Sequence, residues 1–184
     1  GHTDRMPASG GEATVLTQNS GVALNSQPRI SPDGKTIAFI TDRRGQYNLW
    51  VMNADGSNPH AVFSDLNATA VEPAWTPDGN YIVVRRGGRG GGEGGGGGGL
   101  TMYHKDGGQG VSLVGAGAGR GGGGNGAPSW PSVSADGKYL YYQVTMTVDT
   151  KELVAGSIQL RRFEFKSGET VDITAGESNG AAAG

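Results

Sequence analysis

The sequence has no cysteine, which excludes disulfides and thiolate metal sites and leaves the redox compartment open. Charge is balanced and sparse: 15 Lys and Arg against 17 Asp and Glu, a formal net charge of −2. No broad basic surface is therefore available to drive nucleic-acid or membrane binding. No apolar run approaches the roughly 18–20 residues that a membrane-spanning helix needs. The first thirteen residues lack the apolar centre of a signal peptide. Either a signal has been removed or none existed, and the leading Gly1-His2 also fits an expression scar. Residues 1–12 read as a polar arm.

Glycine is the residue in excess, with 36 in 184 residues against a usual share of about 7%. Two tracts hold most of it. Residues 87–99 contain eleven glycines and residues 115–126 contain eight. Both read as inserted Gly-rich loops.

Outside the tracts one short element returns three times. Ser31-Pro32-Asp33-Gly34 is followed by Thr76-Pro77-Asp78-Gly79 and, altered, by Ser134-Ala135-Asp136-Gly137. A proline precedes each by three residues: Pro28, Pro73 and Pro131. An apolar run follows each: Ile37–Ile40, Tyr81–Val84 and Tyr139–Tyr142. Proline presets φ at the second position of a type I turn, Asp caps the turn, and Gly takes the left-handed position that ends it. Such turns join antiparallel strands. The pattern predicts an all-β chain with three four-stranded blades near 27–63, 72–114 and 128–174. The Asp-to-Asp spacing is 45 residues and then 58, the second stretched by the glycine tracts. A blade period is about 40–45 residues.

The pattern Pro-x-x-Ser-Pro-Asp-Gly-Lys-x-Ile-Ala-Phe, followed by Leu49-Trp50-Val51-Met52-Asn53-Ala54-Asp55-Gly56, resembles the repeats of the TolB-type β-propeller family. Residues 27–63 match best, 72–114 less well and 128–174 least, since Ala135 replaces the turn proline. Met102–Gly108 is most similar to propellers placed ahead of secreted bacterial amidohydrolases. The resemblance implies a partial, about three-bladed propeller over 13–184 and an exported, periplasmic setting. In such a hydrolase the catalytic domain would lie beyond residue 184. Its His-x-His metal ligands have no counterpart in this sequence.

The chemistry-bearing residues favour structure over catalysis. Asp33, Asp78 and Asp136 could be imagined as a carboxylate ring for a cation, but each sits at a position where Asp caps backbone donors. His2, His60 and His104 are not spaced as a zinc pair. The glycine tracts lack the Gly-Lys-Ser/Thr ending of a phosphate loop. Arg85, Arg86 and Arg89 lie among glycines without the interleaved aromatics that stack on RNA bases. No Gly-x-Ser-x-Gly elbow is present. Trp50, Trp75 and Trp130 read as blade-packing residues. No catalytic, metal-binding or cofactor-binding residues are expected, and no cofactor.

Closed propellers have about 4–8 blades. Three blades leave an apolar face open at each end, and an array needs such faces covered. Ile37, Phe39, Leu49, Trp50 and Val51 on the first blade, and Tyr139, Tyr141, Leu160 and Phe163 on the third, are the expected partner-facing residues, Phe39, Trp50, Tyr141 and Leu160 foremost. The expected covering is other protein subunits, with a homodimer second. The function class that follows is a non-catalytic subunit of a periplasmic-side assembly, such as a photosynthetic or respiratory membrane complex. The alternative is the front half-propeller of a metal-dependent hydrolase.

Overall fold

A computed structural model describes residues 2–17, 23–88, 98–115, 125–146 and 157–174. The central parts of both glycine tracts lie outside these residues. Three four-stranded antiparallel sheets follow one another along the chain, and a two-stranded sheet precedes them. The first blade holds β3 (Asn25–Ile30), β4 (Thr36–Thr41), β5 (Asn48–Asn53) and β6 (His60–Ala61). The second holds β7 (Ala68–Trp75), β8 (Tyr81–Gly88), β9 (Leu100–His104) and β10 (Val111–Val114). The third holds β11 (Asn125–Val133), β12 (Tyr139–Met146), β13 (Ser157–Glu164) and β14 (Thr170–Asp172). The small sheet pairs β1 (Asp4–Arg5) with β2 (Thr14–Val15). Strand order within each blade is sequential, so every connection inside a blade is a hairpin.

Strand register assigns the faces. In the first blade Ala38 opposes Val51 and Ile40 opposes Leu49, and this set packs against Ile82, Val84 and Tyr103 of the second. The second blade's other face carries Val83 and Leu100, which pack against Leu140, Tyr142, Val144 and Phe163 of the third. Central blades are thus apolar on both faces. This explains why Ile82-Val83-Val84 reads as a continuous apolar run rather than an alternating one.

The structure corrects four sequence expectations. Phe39 and Trp50 do not face a partner. They are buried with Ile37 and Met52 beneath Leu16 of the chain's own leading segment. Arg43 completes the cover, its guanidinium 4.6 Å from the Trp50 ring centroid, a cation–π contact. Leu49, Val51 and Phe163 point inward, toward the second blade. Residues 4–5 of the expected arm are paired as a strand, because Leu16 draws this segment onto the first blade. Trp130 is 58% exposed and is not a packing residue. Tyr141 is half-buried and Leu160 is exposed on the third blade's outer face.

Candidate functional site

Each blade's inner strand contains a proline at the same place, Pro28, Pro73 or Pro131, that cannot donate to the sheet ladder; the third also carries Pro128. The register shifts at that point in all three: between Ser26 and Arg29, between Val71 and Ala74, and between Ser129 and Ser132. A bulge of this kind re-aims the residue beside it. Here it places Gln27, Glu72 and Trp130 at φ values of 52°, 58° and 53°. Left-handed backbone is unfavourable for such residues, so something must hold it.

Hydrogen bonds between blades supply that restraint. The Gln27 side-chain oxygen accepts a bond of 2.6 Å from the Glu72 backbone N–H. Glu72 Oε2 in turn accepts a bond of 2.6 Å from the Trp130 backbone N–H. Its other oxygen receives Arg85, with Nε at 3.0 Å and Nη2 at 2.9 Å. Glu72 and Arg85 are both buried. The residue before the proline in one blade thus fastens the equivalent residue of the next. A third tie runs beside these: Trp75 Nε1 donates to the Arg29 carbonyl at 2.9 Å.

Around this line of inner strands lies a cleft of about 300 Å³, lined by Arg29, Pro73, Trp75, Trp130, Pro131 and neighbours. Among the described residues its lining holds one hydroxyl, Ser132, and one carboxylate, Glu72, which is already bonded to Arg85 and to the Trp130 N–H. The sequence analysis missed Gln27, Glu72, Arg85 and Trp130. The signal was available: each blade's pre-proline residue is the fastening position.

The repeated turns form a second line. Asp33 Oδ1 accepts the Ser31 hydroxyl at 2.6 Å and the Lys35 N–H at 3.1 Å. Asp136 does the same with Ser134 at 2.6 Å and Lys138 at 3.1 Å. Asp78 accepts the Thr76 hydroxyl and the Asn80 N–H. Those hydroxyl bonds are the main reason all three carboxyls titrate below their ordinary value. Gly34, Gly79 and Gly137 close the turns at φ between 68° and 73°. A side chain added at Gly79 would lie 3.7 Å from Pro32, and one at Gly137 would lie 3.5 Å from Pro77. Each turn proline thus abuts the turn glycine of the following blade.

Comparison with known structures decides what this stack is. The chain superposes on the putative TolB from Agrobacterium tumefaciens with a TM-score of 0.70, at 16% identity, over 93% of this chain and 55% of that one. The fold is a partial TolB-like β-propeller. The same blades superpose on the oligogalacturonate lyase of Vibrio parahaemolyticus with a TM-score of 0.64, at 15% identity, over 93% of this chain and 42% of that one. By sequence, the uncharacterized peptidase YuxL of Bacillus subtilis strain 168 is 38% identical over 65 residues, 35% of this chain and 10% of that protein. No protein-family model matches the chain. The TolB-like chain spans about half or less of the length of these proteins.

Among the described residues, no group of three or more His, Asp or Glu is arranged to hold a metal ion. His60 lies on β6 and His104 on β9, in different blades. Asp78 and Asp136 line one cavity of about 500 Å³, Asp33 does not line it, and each of the three carboxylates is bonded within its own turn.

Proposed function

We propose that this chain is a non-catalytic interaction subunit, built from TolB-like blades, that braces a larger protein assembly on the periplasmic side of a membrane. One observation carries the reading: the buried carboxylate of the second inner strand, Glu72, is spent on fastening blades. Glu72 holds Arg85 and the Trp130 N–H, and Gln27 holds the Glu72 N–H. What the described residues leave over is surface for contact, chiefly the outer face of the third blade. A photosynthetic or respiratory membrane complex is the kind of assembly this role suits.

A second reading has its own support. The relative YuxL is described as an uncharacterized peptidase, and 65 residues of this chain match a tenth of it. On that reading residues 1–184 are the front half-propeller of a metal-dependent TolB-like amidohydrolase, with the catalytic domain beyond residue 184. One measurement separates the readings, and a second tests the absence of catalysis that both expect of residues 1–184. The first is the length of the encoding reading frame: continuation into a domain with a His-x-His metal site would overturn the subunit reading. The second is turnover of amide and peptide substrates by the purified chain, with and without zinc. The subunit reading expects none. Activity that survives repurification and is lost on replacing His60 or His104 would refute it.

A further inference from the structure

The three repeated turns differ in the cations around their carboxylates. Two residues after the Asp stands Lys35, Asn80 or Lys138, so of the three only the second turn has no lysine of its own. The carbonyl of that residue accepts the backbone N–H of the residue just after the blade's third strand. Ala54 donates to Lys35 at 2.8 Å, Lys105 to Asn80 at 2.9 Å and Phe165 to Lys138 at 3.0 Å. Ala54, Lys105 and Phe165 are therefore equivalent positions in successive blades. Lys105 of the second blade acts on Asp33 of the first: after the hydrogen bonds from Ser31 and Lys35, its charge helps hold that carboxyl below its ordinary value. At the next junction Phe165 takes the place of Lys105, and it lines a cavity together with Asp78. Asp78 is bonded by the Thr76 hydroxyl and by Asn80. Among the described residues no cation pairs with it.

The cavity, of about 500 Å³, is a groove between the second and third blades, shaped by two sheets of this chain and by neither of its ends. Met102 and Phe165 form its floor, both partly buried against the core that joins these blades. Pro77 and Ala135 stand at its rim, both exposed. Alanine fills less space here than the proline that occupies the same turn position in the other two blades. Asp78 and Asp136 are the charged members, and among the described residues no Lys, Arg or His lines the groove. Asp136 keeps Lys138 at 3.5 Å. The groove therefore combines an apolar floor with one carboxylate, Asp78, that has no cation of its own.

We propose that this groove docks a lysine side chain carried on a segment of a partner protein, with its methylenes on Met102 and Phe165 and its ammonium at Asp78. The proposal rests on the reading of this chain as an interaction subunit, and it states the chemistry of one contact. Lysine fits because it buries an apolar stem while keeping its charge at the rim, and the Phe165 ring adds a favourable face for the cation. An acidic segment would meet Asp78 with like charge, and an apolar one would cover that carboxylate without pairing it. The chain's own Lys105, set beside Asp33 one junction earlier, is the internal example of the arrangement. A free amine suits the groove less well than a protein segment. An exposed ion pair contributes little by itself, so affinity has to come from the backbone and side chains that flank the lysine.

The chain has only 4 methionines, so carbon-13 labelling of their methyl groups reports on the groove through Met102. Met52, buried beneath the leading segment, is the internal control. The probe is a capped heptapeptide, Gly-Ser-Val-Lys-Val-Ser-Gly, titrated into the full chain. It should shift the Met102 signal saturably and leave Met52 unmoved. The same peptide carrying acetyl-lysine should bind about fivefold more weakly or not at all, and so should the lysine peptide with Asp78→Asn. Phe165→Lys returns the chain's own cation to this junction and should block the peptide while both carboxylates remain. The acetyl-lysine comparison leaves the protein untouched, so it decides even where a variant fails to fold. No Met102 shift at millimolar peptide, or equal binding of the lysine and acetyl-lysine peptides, overturns the proposal. So does n-butylammonium binding as tightly as the peptide, which would assign the groove to free amines. A Met102 shift on concentrating the chain alone would assign it to a second copy and also overturns the proposal. None of these results removes the subunit reading, whose own test is the length of the reading frame.

Discussion

Replacing Glu72 with alanine tests the inter-blade fastening directly. Three bonds end on this one carboxylate: two from Arg85, at 3.0 and 2.9 Å, and one from the Trp130 N–H, at 2.6 Å. Arg85 is only 7% exposed. Removing one partner of a buried ion pair costs about 3–5 kcal/mol, because the remaining charge loses its compensation. Depriving a buried N–H of its acceptor costs about 1–3 kcal/mol more. The two losses share a site and do not simply add, so the expected destabilisation is about 4–6 kcal/mol. That is a large part of the ~5–15 kcal/mol that holds a typical domain. Glu72→Gln keeps the shape and one acceptor oxygen, and should cost roughly half as much. Urea unfolding followed by tryptophan fluorescence gives the numbers. Asp33→Ala, an exposed turn change, is the reference. A Glu72→Ala loss below about 1 kcal/mol, or one no larger than that of Asp33→Ala, would refute the account of how the blades are joined.

Gly56→Ala should detach the leading segment, because Gly56 has φ +88° and its added Cβ would lie 2.7 Å from the Leu16 carbonyl oxygen. The backbone cost alone is about 1–2 kcal/mol. Proteolysis within residues 2–17 and acrylamide quenching of Trp50 should both rise, whereas Gly34→Ala, at φ +73° with open space around it, should change neither. Gly34→Val should lower stability by at least about 1 kcal/mol and by more than Gly95→Val, a change in the first glycine tract that lies outside the described residues. Acid should weaken the fold through its turns. Asp33, Asp55, Asp78 and Asp136 titrate below their ordinary 3.8, chiefly because Ser31, Ser57, Thr76 and Ser134 hydroxyls bond the charged form. Their contribution is full above that value and is lost as pH falls through the lower folded ones. The urea midpoint should therefore be insensitive to these groups from about pH 7 to 5 and decline below about 4. Asn at all four positions should flatten the decline, and an unchanged profile would count against the turns.

Local chemistry made the blades legible in the sequence. Ser31-Pro32-Asp33-Gly34 and its two echoes encode hairpin turns because proline, a short carboxylate and glycine each satisfy one backbone demand within four residues. The unbroken apolar run Ile37-Ala38-Phe39-Ile40 fits a strand covered on both sides for a similarly local reason, and all four residues are buried.

Tertiary structure decided what no local pattern could. Gln27, Glu72 and Trp130 lie 45 and 58 residues apart and acquire a common role only when three bulged strands come side by side. Phe39 and Trp50 looked like an open end face, yet two turns of sequence chemistry say nothing about where Leu16 will fold back. That choice depends on the apolar area left uncovered once the blades have stacked, a quantity defined by the whole assembly of sheets and by no single segment. The sequence by itself therefore determined the repeat, and the stacking determined which faces the chain closes on itself.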